Sequence, residues 1–206
     1  MKRLSRAEQN ERNRGLVLAA ARRIFLACGY HAATLDEIAD EAGFSRGVVQ
    51  SRFGNKADLF LALLEQRIGE RAAQNARLVE SMSGAEGLAA LAEHAARHDQ
   101  AELDWGLLLI EFRVHAARDA ALRQRYAEAH ARTLRGISDG ITALYRRAGQ
   151  LPPLPPDQMA QLILTTTAGA RLEQAAGLDN ASQLVASVLL ERFTQASAPP
   201  GNGRPR

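Results

Sequence analysis

The residues of this chain with the clearest chemical purpose are Arg46, Gly47, Val48, Gln50 and Ser51. They share one short stretch with the apolar Val49 and Phe53, and they are the members of it that those two do not bury. Their chemistry is recognition. An arginine fork can bond a guanine edge, a valine methyl can meet a thymine methyl, and a glycine lets the backbone approach closely. Catalytic constellations are missing from the sequence: no nucleophile beside a base, no glycine-rich phosphate loop and no HExxH. An enzyme is not expected, nor is a cofactor. His94 and His98 stand at i, i+4, a spacing that can hold a metal, but they read as a solvated pair on a polar helix face, and no metal is expected. The single cysteine, Cys28, excludes an intramolecular disulfide and reads as a small core residue.

Short helices must position the recognition residues. Val17, Ala20, Ala21, Ile24 and Cys28 repeat at helical spacing over Gly15–Cys28. Gly29 then stands where a helix ends. Thr34-Leu35-Asp36-Glu37 is a capping box: the Thr34 hydroxyl accepts from the amide three residues on, and Glu37 reaches back to the Thr34 amide. The helix it opens stops at Gly43, where a positive φ is needed. Ser45 then caps a third helix, Arg46–Phe53. Gly54 and Asn55 break the chain again, with Asn55 capping a fourth helix that carries Leu59, Phe60, Leu63 and Leu64. Two short helices about Gly43, with Ala39 small at their crossing and Ile38, Val49 and Phe53 as core, form a helix-turn-helix pattern.

The run Ala19-Ala20-Ala21-Arg22-Arg23-Ile24-Phe25, Gly29-Tyr30, Thr34, Ile38-Ala39, Ala42-Gly43, Ser45-Arg46-Gly47, Phe53, Lys56 and Leu59 resembles the DNA-binding domain of the TetR family of transcriptional regulators, without gaps over about residues 12–60. The resemblance implies a ligand-responsive regulator, most often a repressor, that binds a palindromic operator as a homodimer through its last two helices and is released by a small-molecule effector. It also implies a phosphate anchor at Lys56, a second at the helix N-terminus beside Thr34, and a phosphate contact from Arg52. There are departures. Gln50 stands where the family usually has tyrosine, Arg52 where it often has histidine, and Leu35 where many members have Ser or Thr. Gln50 offers an amide that can pair with adenine.

The rest of the chain reads as helical. All seven prolines fall at or beyond Pro152, so nothing before them forces a helix to break. Interruptions are predicted at Ser81–Gly87, near Asp99, at Leu151–Pro156 and at Gly177–Asn180. Apolar residues surround the segment Leu103–Val114, which should therefore be central and buried. A stripe on the next stretch includes Leu122, Tyr126, Ile141, Leu144 and Tyr145. An effector pocket between such helices has Trp105, Leu108, Phe112, His115, Tyr126, Tyr145, Thr166 and Arg171 as candidate lining. The last two helices, about 156–176 and 181–196, carry stripes that include Met159, Leu162, Ile163, Ala170 and Leu184, Val188, Leu189, Phe193.

The fold class is thus all-α, in four parts: a flexible basic arm (1–10), a three-helix DNA-binding domain (11–58), a helical effector-binding and dimerisation domain (59–196) and a disordered tail (197–206). Charge follows the same division. Residues 1–56 hold ten basic and six acidic side chains, and the remainder 16 and 17. A basic head on a near-neutral body suits a polyanion-binding module and argues against a protein that coats DNA indiscriminately. No signal peptide or membrane span is read, so a cytoplasmic protein is expected. The competing possibility is a helical small-molecule-binding protein whose operator binding is impaired at Gln50 and Leu35.

Overall fold

The computed structural model describes residues 5–82, 84–96 and 100–194. Among these residues there are nine helices and no strand: α1 (Arg6–Ala32), α2 (Leu35–Ala42), α3 (Arg46–Phe53), α4 (Lys56–Leu78), α5 (Gly84–Ala96), α6 (Gln100–Ala117), α7 (Ala120–Arg147), α8 (Pro156–Ala175) and α9 (Ala181–Thr194). None is long and apolar enough to cross a membrane. Lys2, Arg3, His98, Asp99 and the tail from Ser197 lie outside the described residues.

The first helix begins earlier than the apolar pattern predicts. Ser5 and Glu8 form a capping box, Ser5 Oγ accepting from the Glu8 amide at 3.2 Å and the Glu8 carboxylate accepting from the Ser5 amide at 2.7 Å. Arg6–Asn10, expected in a flexible arm, are therefore helical. The buried face of α1 is also rotated from the expected one. Val17, Leu18, Ala20, Ala21 and Phe25 are buried, Ile24 only partly so, and Cys28 is exposed. The run is apolar around most of its circumference, and the bulk of Leu18 and Phe25, larger than that of Cys28, decides which side turns inward. At Gly29 the backbone leaves the helix with φ 79° and ψ 171°.

Two compact units divide the chain. One contains residues up to Gly69 together with Asp104–Ala129; the other contains Glu70–Leu103 and the residues from His130 onward. The unit that holds the helix-turn-helix is thus larger than residues 11–58, because the greater part of α6 packs into it. Its core includes Phe25, Tyr30, Phe60, Phe112 and Trp105, with Phe60 and Phe112 stacked at 4.1 Å. On α6 the buried side chains Trp105, Leu108, Phe112 and Ala116 form a single face, with Gly106 buried beside it; Val114, expected to be buried, is exposed on the opposite side. The second unit packs Leu144, Tyr145, Met159 and Phe193 with Ile141. There the Tyr145 hydroxyl donates to the Phe193 carbonyl, and Arg147 donates to the carbonyls of Val79 and Glu80 at 3.1 and 2.9 Å. The predicted break at Ser81–Gly87 is shorter than expected, since Gly84 to Gly87 already belong to α5.

Candidate nucleic-acid interface

The turn between α2 and α3 is built as its residue types require. Thr34 is the N-cap of α2: its hydroxyl accepts from the Glu37 amide at 3.2 Å, and Glu37 accepts from the Thr34 amide at 2.9 Å. Gly43 ends the helix in the left-handed region, φ 74° and ψ 31°. The amide of Phe44 donates to Ala39 at 2.9 Å and that of Gly43 to Asp40 at 3.1 Å, which satisfies the last carbonyls of α2. Ser45 precedes α3 but its side chain makes no capping bond, and its carbonyl accepts from Val48 and Val49 instead. Asn55 caps α4 by accepting from the Asp58 amide at 2.9 Å.

Val49 and Phe53 anchor α3 in the core, together with Ile38 and Ala39 from α2. The remaining face of α3 carries Arg46, Gly47, Val48, Gln50 and Ser51, all exposed. Two of the cations at this surface are held in place. Arg46 bonds Asp36 of α2 at 2.8 Å. Arg52 donates to the Asn10 carbonyl at 2.6 Å and to its side-chain oxygen at 3.3 Å, tying the far end of α3 to the first turns of α1. Arg14 lies 5.2 Å from the centroid of the Phe53 ring. The sequence did not point to Asp36 or Asn10 as partners. Asp36 lies in the first turn of its helix, where the α2–α3 crossing sets it opposite Arg46; the signal for Asn10 is the capping-box pattern Ser5-Arg6-Ala7-Glu8, which starts α1 before the apolar repeat does.

Lys56 occupies a different setting from the one a phosphate anchor suggests. Its ammonium donates to the carbonyls of Tyr30, His31 and Ala33 at 2.8, 3.0 and 2.9 Å and sits 4.8 Å from the Tyr30 ring centroid. Three bonds match the three protons of an ammonium group. Burial pushes its pKa below the ordinary lysine value, while the acidic groups of Cys28, Glu111 and Glu37 act the other way.

The eight pocket candidates divide between the two units. Trp105, Leu108 and Phe112 are buried in the first core; His115 lies 5.0 Å from Tyr30 and 5.2 Å from His31, ring to ring; Tyr126 accepts from Arg113. Tyr145, Thr166 and Arg171 belong to the second unit. Thr166 donates to the Leu162 carbonyl of its own helix at 2.6 Å. Glu102 takes both Arg71, at 3.5 Å, and Arg171, at 3.9 Å.

Residues 17–63 match the family described as bacterial regulatory proteins, tetR family. In this N-terminal region the chain is similar to TetR-family regulators. It is 29% identical over 189 residues, 89% of the chain and 92% of the relative, to the HTH-type transcriptional repressor AcnR of Corynebacterium diphtheriae. Over 64 residues it is 45% identical to the HTH-type transcriptional activator FasR of Mycolicibacterium smegmatis, an alignment that covers 31% of the chain and 29% of FasR. Among solved structures, the fold of a putative TetR-family transcriptional regulator from Rhodococcus sp. is similar over 90% of this chain and 98% of that one, with a TM-score of 0.72 and 21% identity. FadR of Bacillus subtilis, solved in complex with stearoyl-CoA, is similar over 87% and 97%, with a TM-score of 0.65 and 21% identity. The nine helices thus follow the architecture of TetR-family regulators, with the helix-turn-helix at the N-terminal end.

Proposed function

We propose that this chain is a ligand-responsive transcriptional regulator of the TetR family, acting as a repressor that binds a palindromic operator as a homodimer and is released by a small-molecule effector. The observation that carries the reading is the face of α3, where Arg46, Gly47, Val48, Gln50 and Ser51 stand exposed while Val49 and Phe53 hold the helix from behind. Arg46 reads a guanine, Gln50 an adenine and Val48 a thymine methyl, with Gly47 and Ser51 close to the backbone. Arg52 contacts a phosphate from the end of α3. Thr34 starts α2 beside a second phosphate, taken by the helix's N-terminal amides. Lys56 anchors a phosphate by exchanging one of its three carbonyl bonds.

A repressor is the reading supported by the likeness to AcnR, which extends over most of both chains. The likeness to FadR with stearoyl-CoA supports a small-molecule effector, with candidate contacts in each unit taken separately: Trp105, Leu108, Phe112, His115 and Tyr126 in the first, Tyr145, Thr166 and Arg171 in the second. Dimerisation through α8 and α9 is supported by the apolar side chains those helices expose, Leu162, Leu172, Leu184 and Val188. A repressor of this kind works in the cytoplasm, where the DNA is.

The test is binding of the purified protein to DNA fragments selected from a random pool, against scrambled DNA, over a salt series. A two-fold symmetric site whose affinity falls with salt supports the reading. Arg46→Ala should then relax sequence preference, whereas Lys56→Ala should weaken all sequences alike. An empty selection would sink the proposal.

A further inference from the structure

The last turn of α1 and the lead into α2 are held from two sides by opposite chemistry. From α6, Glu111 accepts from the Tyr30 amide with Oε2 and from the His31 amide with Oε1, both at 3.0 Å and across some eighty residues of sequence. From α4, Lys56 bonds the carbonyls of the same two residues and of Ala33. The positive φ of Gly29 turns successive amides towards one carboxylate, and a Cβ at Gly29 would stand 2.8 Å from Glu111 Oε2. Between the two clamps the Tyr30 ring packs on Phe60 at 5.4 Å and on Phe112 at 5.0 Å. Thr34, the cap of α2, follows directly.

Apolar contacts between helices tolerate sliding, because the hydrophobic effect has no direction. A carboxylate shared by two backbone amides does not, because hydrogen bonds weaken steeply with misalignment. Glu111 is therefore the directional link between α6 and the start of α2. The helix that carries it runs on into the second compact unit, where its first residues, Gln100–Leu103, lie.

We propose that Glu111 is a latch, a positioning residue through which the register of α6 sets the DNA-reading head by way of Tyr30–Ala33. This rests on the regulator reading above: an effector that displaces α6 would release the latch, and DNA that fixes the head would hold α6 in turn, since coupling between sites is reciprocal.

Trp105 supplies the readout. It is the only tryptophan of the chain, lies on α6 six residues before Glu111, and stacks parallel to Phe60 of α4 at 6.2 Å. The experiment titrates full-length protein with a labelled DNA fragment selected by the wild type, following binding by anisotropy and α6 by Trp105 emission. Glu111→Gln keeps the volume but sets an amide donor against one backbone N–H, while Gly29→Ala pushes the carboxylate away from the other side. Wild type should bind with a change in Trp105 emission. Both variants should bind with that change reduced to about a third or less, and the Tyr30 and His31 amides of Glu111→Gln should exchange roughly tenfold faster. A Trp105 response unaltered by the variants, or a wild type that binds DNA with Trp105 silent, overturns the latch. So does loss of folding or of all DNA binding in both variants, which would make Glu111 a part of the head's framework. Failure of wild type to bind any DNA is a different result, and removes the regulator reading itself.

Discussion

At the scale of single residues, the recognition surface is as much a matter of restraint as of charge. Arg46 is the side chain best suited to a base edge, and Asp36 holds it across the α2–α3 angle at 2.8 Å with both partners more than half exposed. An ion pair so open to solvent contributes little stability, on the order of 0–1 kcal/mol. Its effect is to orient. Asp36→Asn should leave the melting temperature within about 2 °C. The same change should raise non-specific DNA affinity, by removing a negative charge from the binding face, and lower the ratio of specific to scrambled binding measured by competition. An unchanged ratio would remove Asp36 from the reading machinery. Tyr30 invites a second test. Burial, with the Asp58 charge as a smaller cause, raises its pKa to about 12. The unfolded tyrosine loses its proton near pH 10, so the stability due to this group is whole below that pH and is lost as the pH climbs towards 12. Lys56, pushed down by burial, acts in the opposite direction and below its ordinary value rather than above it. The difference between wild type and Tyr30→Phe therefore isolates Tyr30: in urea unfolding it should be constant up to pH 10 and shift by about 2 kcal/mol in favour of the variant near pH 12. A difference that stays flat would refute the shift. The outward face of α3 was legible from sequence because Val49 and Phe53 fix its orientation. The partner at its far end was not, since Asn10 reaches Arg52 across 42 residues by folding alone.

At the scale of elements, the local signals that proved sufficient were caps and breaks. Thr34, Gly43, Gly54 and Asn55 each act within four residues of themselves, so their effect can be read without a partner; α2 and α3 accordingly begin and end where the sequence places them. The orientation of α1 could not be read that way, because a helix apolar on most sides is turned by what it meets. Two glycines on either side of Ser45 show the difference between a structural and a functional requirement. At Gly43 an added Cβ would meet no atom within 4 Å, but φ is 74°, a conformation that costs a side chain about 1–2 kcal/mol. At Gly47 the backbone is helical and the nearest atom, Ser45 Oγ, is 4.0 Å away, so alanine fits and gains up to about 1 kcal/mol of helix propensity. Gly43→Ala should therefore lower stability, measured by denaturant unfolding, and weaken DNA binding only in proportion. Gly47→Ala should raise stability and still weaken DNA binding, since in the proposed reading the added methyl stands where the backbone approaches the groove. If Gly47→Ala binds DNA as well as wild type, α3 does not approach through Gly47.

At the scale of the molecule, the apolar surface left uncovered on α8 and α9 needs an explanation. Leu162 and Leu172 are 41% and 48% exposed on α8, and Leu184 and Val188 are 60% and 49% exposed on α9. The inner sides of the same helices behave as a core should, with Met159, Ala160, Ala170 and Phe193 buried. Both helices are thus apolar on two sides, and among the described residues only one side is covered; this is why their stripes were visible in the sequence while the division between inward and outward members was not. Single exposed leucines are ordinary, but a cluster on adjacent helices marks an interaction surface. A two-fold partner would cover it with the same residues and would set two copies of α3 for a palindromic site. Replacing Leu184 and Val188 together by Asp puts two charges on this surface without touching the buried side. In sedimentation, wild type should run as a dimer and the double variant as a monomer with unchanged helix content. Affinity for the palindrome should drop by at least about tenfold while affinity for an isolated half-site is preserved, because the second head no longer benefits from being tethered to the first. A double variant that remains dimeric would place the interface elsewhere, and the exposed face of α8 and α9 would then need a different occupant.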